Sequence, residues 1–133
     1  MQKYNTNSHS KYLIKLHFVL AVKYRKRLLI DELKDDMILI ISEICNSNDF
    51  KVDAIQSDIN HIHILLDVKP THSAYYIAHK IKTISTYRIY KKYSLILRKH
   101  FWKERTFWSD GYFVCSTGDA CTETIKNYIY NQG

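Results

Sequence analysis

Glycine and proline are scarce in this chain, with three Gly and one Pro in 133 residues. That scarcity excludes collagen-like and low-complexity architectures and favours long regular elements joined by short loops. Cys45, Cys115 and Cys121 are odd in number and lack C-x-x-C spacing, so neither a disulfide framework nor a zinc knuckle is expected; reduced, buried thiols are. The longest apolar run, Phe18–Val22, is far too short to span a bilayer. The polar start MQKYNTNSHSKY has no signal-peptide core, which points to a cytoplasmic protein with no membrane partner. No repeat or Pro/Ser-rich linker divides the chain, so residues 1–133 are expected to form a single domain.

Apolar residues make up 46% of the chain and aromatic residues 14%, enough for a real core and well clear of a disordered composition. Lys and Arg number 20 against 13 Asp and Glu, giving a net charge of +7. A field of that sign favours phosphate-bearing partners, though an anionic membrane or plain solubility would also suit it. Eleven Tyr and five Phe beside that charge turn the expectation toward single strands, whose unstacked bases need aromatic platforms as well as cations. Most of those aromatics must still serve the core.

Alternation predicts a strand over Tyr12–Val22, with Tyr12, Ile14, Leu16, Phe18, Leu20 and Val22 on one face and Lys15 and His17 on the other. A basic knot follows at Lys23, Arg25, Lys26 and Arg27. Asp31 is placed to cap a helix whose Leu33, Met37, Ile40, Ile41 and Ile44 recur at helical spacing, with a stop at Asn46–Asn48. Two strands, Phe50–Asp58 and His61–Val68, are joined by a tight turn around Ile59–Asn60. Thr71 or Ser73 then caps a second helix with the stripe Ala74, Ile77, Ala78, Ile81, Ile84 and Ile89. After a basic aromatic stretch, Arg98–Trp108, come a strand at Tyr112–Ser116 and a last helix from Gly118. The order β-α-β-β-α-β-α predicts an α+β fold. It is the ferredoxin-like four-stranded antiparallel sheet with helices on one face, plus a C-terminal helix.

The segment His61-Ile62-His63-Ile64-Leu65-Leu66-Asp67-Val68 is the most informative. Strand side chains alternate, so Ile62, Ile64, Leu66 and Val68 face the helices while His61 and His63 share the opposite face. Two imidazoles at i and i+2 can converge on one divalent ion. An isolated H-x-H is better explained by a polar, solvated face. Here Leu65 lies in that face, which suggests a lined pocket. Asp58 lies three residues upstream, where a turn could bring it in as a ligand or as an orienting partner.

In the final helix Tyr128 and Gln132 stand four apart, one turn above the other. A carboxamide oxygen is a hard ligand suited to Mg²⁺ or Mn²⁺, and Gln132 on such an ion would bring the Tyr128 hydroxyl near a phosphate. Tyr130 points away around the axis. On helix pattern alone, Tyr128 reads more readily as a core tyrosine with a bonded tip. His17 and His79 are the available general bases, although each also reads as a structural or solvated residue.

Together these residues resemble the single-tyrosine HUH transposases of small insertion sequences that transpose as single-stranded DNA. The similarity runs through the basic Lys23–Arg27 segment, D-x-x-H-x-H at Asp58, His61 and His63, W-S-x-x-Y-F-V-x-S-x-G at Trp108–Gly118, and Y-I-x-N-Q at Tyr128–Gln132. It implies Tyr128 as nucleophile and His61, His63 and Gln132 as ligands of Mg²⁺ or Mn²⁺. It further implies a homodimer, DNA hairpins at transposon ends as substrate, and cleavage and rejoining through a 5′-phosphotyrosine.

The DNA-contacting side chains are expected first among Lys23, Arg25, Lys26 and Arg27, then Lys80, Lys82 and Arg88, and then Arg98, Lys99, Lys103 and Arg105. Two other readings compete. A non-catalytic single-stranded nucleic-acid-binding module would use a similar sheet, but no Gly- and aromatic-rich RNP strand is present. A replication or conjugation nickase of the HUH type would share the chemistry and differ in its biology.

Overall fold

The computed structural model describes residues 4–6, 11–116 and 127. A short hairpin of β1 (Asn5–Thr6) and β2 (Lys11–Tyr12) precedes the main sheet. That sheet is built from β3 (Ile14–Ala21), β4 (Lys51–Ser57), β5 (His61–Val68) and β6 (Phe113–Ser116). Their spatial order is β4-β5-β3-β6, and every neighbouring pair is antiparallel. Two helices, α1 (Asp31–Ser47) and α2 (Ala74–His100), cover one face. This is the ferredoxin-like arrangement that the alternation of strand and helix patterns predicts; the last helix expected from Gly118 lies outside the described residues.

The core lies between that face and the helices. Phe18 and Leu20 of β3 and Ile62, Ile64 and Leu66 of β5 are buried against Met37 and Ile41 of α1 and Ile77 and Ile81 of α2. Each such side chain contributes about 1.5–3 kcal/mol relative to an exposed position. Among the described residues no helix is long and apolar enough to cross a membrane.

Several boundaries differ from expectation for local reasons. The first strand is shorter at both ends than the predicted Tyr12–Val22, since Tyr12 belongs to the hairpin and Val22 makes an isolated bridge to Trp108. Asp31 is the first residue of α1 rather than its cap; Ile30 holds the cap position without a side-chain hydrogen bond. Asp31 and Glu32 instead meet the helix dipole in the first turn. The Asn48 Nδ2 donates to the Ile44 carbonyl at 2.7 Å, and Asp49, at φ 60°, turns the chain out of the helix.

In α2 the Ser73 Oγ accepts from the Tyr76 N–H at 3.0 Å, which selects Ser73 over Thr71 as the cap. This helix runs through the first basic residues assigned to the following stretch. Arg98, Lys99 and His100 form its last turn, where cations are favoured. Cys45 is free, and burial pushes its thiol up to about 12. Cys115 is disulfide-bonded rather than a reduced thiol.

Candidate active site

Sheet register determines which side chains meet. Val19 lies opposite His63 and Ala21 opposite His61 in the β3–β5 ladder, while Gln56 of β4 lies opposite His63 on the other side. Opposed residues share a face, so His17, His61, His63 and Leu65 occupy the face turned away from the helices. That face is not open to water along its length. Val19 and Ala21 are buried, and His61 is only 7% exposed.

The two imidazole centroids of His61 and His63 stand 4.9 Å apart, edge to face. The Nδ1 of His61 lies 2.8 Å from the Asn60 side-chain oxygen. A carboxamide oxygen only accepts, so His61 Nδ1 carries the proton and Nε2 keeps its lone pair. His63 Nδ1 lies 3.1 Å from His17 Nε2 on the neighbouring strand, which leaves His63 Nε2 free of that contact. Each histidine thus has one nitrogen engaged by the protein and one available, the arrangement typical of an oriented metal ligand. The Asp58 Oδ2 is 3.8 Å from His61 Nε2, too far for a hydrogen bond, and its Oδ1 accepts from the Ile59 N–H at 2.8 Å. Asp58 therefore shapes the turn and stands beside the pair as a nearby negative charge.

Burial holds the His17 and His61 imidazoles below the usual histidine range; for His61 the Asp58 carboxylate opposes this and Arg25 adds to it. His63 is pushed down to about 4, first by burial and then by the adjacent His61 and His17. All three are neutral near pH 7, the protonation state in which imidazole ligates metals. Among the described residues no group of three or more His, Cys, Asp or Glu side chains is placed to hold a metal ion. The pair supplies two nitrogen donors.

Tyr128 and Gln132 lie outside the described residues; their neighbour Asn127 is helical and exposed. The expected cations divide into groups. Arg25 lies in the turn that follows β3, where its charge bears on His61, while Lys26 lines a cleft with Tyr24 and Arg27 is exposed. Lys23 binds Glu104 at 2.8 Å and Asp110 at 3.3 Å. Lys80 sits 5.8 Å from the Tyr76 ring centre, and Arg88 pairs with Glu43 at 2.6 Å. Lys82 donates to the carbonyls of Asp110 and Gly111 at 2.9 and 3.3 Å, and burial lowers its pKa.

Sequence reasoning missed Asn60 as a partner of His61 and gave His17 no role beside His63. The first is visible only as adjacency in a tight turn. The second depends on the strand register.

A ferredoxin-like sheet carries a pair of oriented histidines at i and i+2 on its helix-free face, the arrangement expected of an HUH-type transposase. The family described as IS200-like transposase matches residues 10–132, and the chain belongs to that family of single-tyrosine transposases. It is similar to the transposase for insertion sequence element IS200 of Salmonella typhimurium, at 27% identity over 94% of this chain and 80% of that one. It is also similar to the ISDra2 transposase TnpA of Deinococcus radiodurans, at 25% identity over 91% of this chain and 85% of that protein. A crystal structure assigned as a transposase from Deinococcus radiodurans R1 superposes with a TM-score of 0.89 at 25% identity, covering 96% of this chain and 97% of that one. A REP-associated tyrosine transposase bound to a REP hairpin shares the fold, with a TM-score of 0.56 at 13% identity, over 94% of this chain and 71% of that chain. The protein is a DNA strand-transfer enzyme acting on single-stranded DNA, of a family that works with a divalent metal.

Proposed function

We propose that residues 1–133 form one catalytic domain that cuts and rejoins single-stranded DNA at insertion-sequence ends through Tyr128. The observation that carries this reading is the His61–His63 pair, with centroids 4.9 Å apart and one nitrogen of each engaged by a neighbouring side chain. His61 and His63, completed by Gln132, are the ligands for Mg²⁺ or Mn²⁺. Bound there, the ion supplies Lewis-acid stabilisation of the charge that develops on the scissile phosphate.

Tyr128 Oη attacks the phosphorus in line. A P–O bond to the tyrosine forms, the bond to the 3′ oxygen breaks, and that oxygen takes up a proton while the phenol gives one up. The strand is held as a 5′-phosphotyrosine. Because the phosphodiester energy is retained, a second 3′-hydroxyl reverses the step and joins new ends without a nucleotide cofactor. A phenol ionises near pH 10, far below an aliphatic alcohol, which eases its activation.

DNA hairpins at transposon ends are the substrate, as befits a relative of the fold described in complex with a hairpin. Lys23, Arg25, Lys26, Arg27, Lys80, Lys82 and Arg88 are the proposed contacts, either to phosphate directly or by holding the surface that meets it. The working form is a homodimer in the cytoplasm. Tyr128→Phe is expected to abolish the covalent protein–DNA adduct on a denaturing gel while hairpin affinity stays within about two-fold, since a single hydroxyl contributes little beside several phosphate contacts. An adduct of undiminished yield in that variant would remove Tyr128 from the mechanism.

A further inference from the structure

Beyond the histidine pair, a solvent-facing feature with unexplained aromatics lies where the turn after β3 meets the segment following α2. A cleft of about 620 Å³ opens there, within the range of small-ligand sites. Trp102 is 74% exposed and Tyr24 66% exposed, although both are large apolar side chains whose surface costs free energy in water. Phe101, buried at the base, stacks against Tyr24 with centroids 6.5 Å apart and rings 30° from parallel.

Tyr24 is held in this position by an unfavourable backbone. It has φ 59° and the next residue, Arg25, has φ 50°, a left-handed pair at two residues that are not glycine. Hydrogen bonds from Lys23 N to the Phe107 carbonyl and from Arg25 N to the Val22 carbonyl, each 2.9 Å, fix the turn. Strain of this kind persists only where the surroundings enforce it, and here it presents Tyr24 outward.

The charges around the cleft suit a phosphate. Lys26 and Lys103 line it, with the Lys103 Nζ 5.1 Å from the Trp102 ring centre. The carboxylate at the rim, Glu104, is already paired with Lys23 at 2.8 Å and so does not leave an uncompensated negative charge. The cleft is also tied to the histidine site through the backbone. Val22 N donates to the Asn60 carbonyl at 2.9 Å and Leu29 N to the Ile59 carbonyl at 3.0 Å, so the loop carrying Tyr24 and Lys26 is bonded to the turn that orients His61.

We propose that the cleft between Tyr24 and Trp102 binds one unpaired nucleobase of the DNA strand, stacked on these aromatic rings, with its phosphate met by Lys26 and Lys103. This rests on the strand-cleaving reading above and adds a base-binding subsite to it, on the loop bonded to the turn that precedes His61. A flat ring entering the cleft covers the exposed aromatic faces, and every base offers such a face, so the site favours single strands over duplexes without reading sequence. Bases inside a duplex are already stacked and cannot enter.

The chain has two tryptophans, and Trp108 is buried at 3% exposure, so a change in emission on binding reports chiefly on Trp102. Titration with oligothymidylate, which forms no hairpin, is expected to quench that emission, whereas a strand of equal length made of abasic sites is expected to leave it unchanged. Trp102→Ala should weaken oligothymidylate binding about ten-fold or more, and Trp102→Phe should keep it within about two-fold, as a stacking role requires. Because the side chain is exposed, neither substitution removes core packing. Equal quenching by the abasic strand, or unchanged affinity in Trp102→Ala, would overturn the subsite; if the wild-type protein still forms its covalent hairpin adduct, the transposase reading stands. If no hairpin yields an adduct with wild-type protein and Mn²⁺, the underlying reading fails and the subsite falls with it.

Discussion

The two faces of β5 occupy the same eight residues and do opposite things. Ile62, Ile64, Leu66 and Val68 are almost wholly buried against the helices, and any apolar side chains of similar volume would serve there. His61 and His63, one residue out of phase, are also withdrawn from water but meet polar atoms of Asn60 and His17. The first face holds the sheet to its helices. The second uses the rigidity so obtained to fix two nitrogens at one spot. The histidine pair thus sits on a central strand paired on both sides.

Exchanging the roles of the two faces by mutation gives the largest effects. His63→Ala is expected to reduce Mn²⁺-dependent hairpin nicking to background while shifting the melting temperature little, because it removes a proposed metal donor and no helix contact. Its neighbour Ile64→Ala is expected to do the reverse. A buried Ile cut to Ala costs about 2–5 kcal/mol of stability, yet the protein that remains folded at low temperature should nick at close to the wild-type rate. Thermal melts and single-turnover nicking on the same preparations measure both. Should His63→Ala nick normally, or Ile64→Ala melt like the wild type, the division between the faces would be lost.

A smaller effect concerns acid. His63 is held at about 4 in the folded protein, against 6.5 in an unfolded chain, and His17 and His61 are lowered in the same direction. The unfolded chain therefore binds protons first as pH falls. The stability that goes with these neutral imidazoles is complete above about 6.5 and is lost progressively as pH drops to about 4. Melting curves of metal-free protein should show this fall. It should be shallower in His63→Asn, whose side chain does not titrate; an identical slope in that variant would mean that other groups govern the acid limb.

The strand holding the histidines was readable to the residue. His61–Val68 is both the predicted and the observed span, because its alternation is clean and Pro70 closes it. Helices α1 and α2 were legible from their apolar spacing, and cap chemistry narrowed the start of α2 to Thr71 or Ser73. The hairpin of Asn5–Thr6 with Lys11–Tyr12 was not, since two-residue strands carry no period. The reach of α2 to His100 was hidden by its own basic C-terminal turn, which read as a loop.

Within the site, the pairing of imidazoles on one face follows from alternation alone. Their partners do not. His17 reaches His63 only because Val19 pairs with His63 in the ladder, and register between strands far apart in sequence is not written in either strand. The strained turn at Tyr24 was equally hidden, because a tyrosine at positive φ violates local preference and is imposed by the surrounding contacts.

The most direct measurement is an anomalous difference map from crystals of the protein grown with Mn²⁺ and a hairpin substrate in the Tyr128→Phe background. One strong peak should lie within ligand distance of Nε2 of both His61 and His63, with the Gln132 side chain completing it and residue 128 facing the scissile phosphate. A peak elsewhere, or a residue 128 turned away from that phosphate in both subunits, would contradict the assignment of this site to strand cleavage.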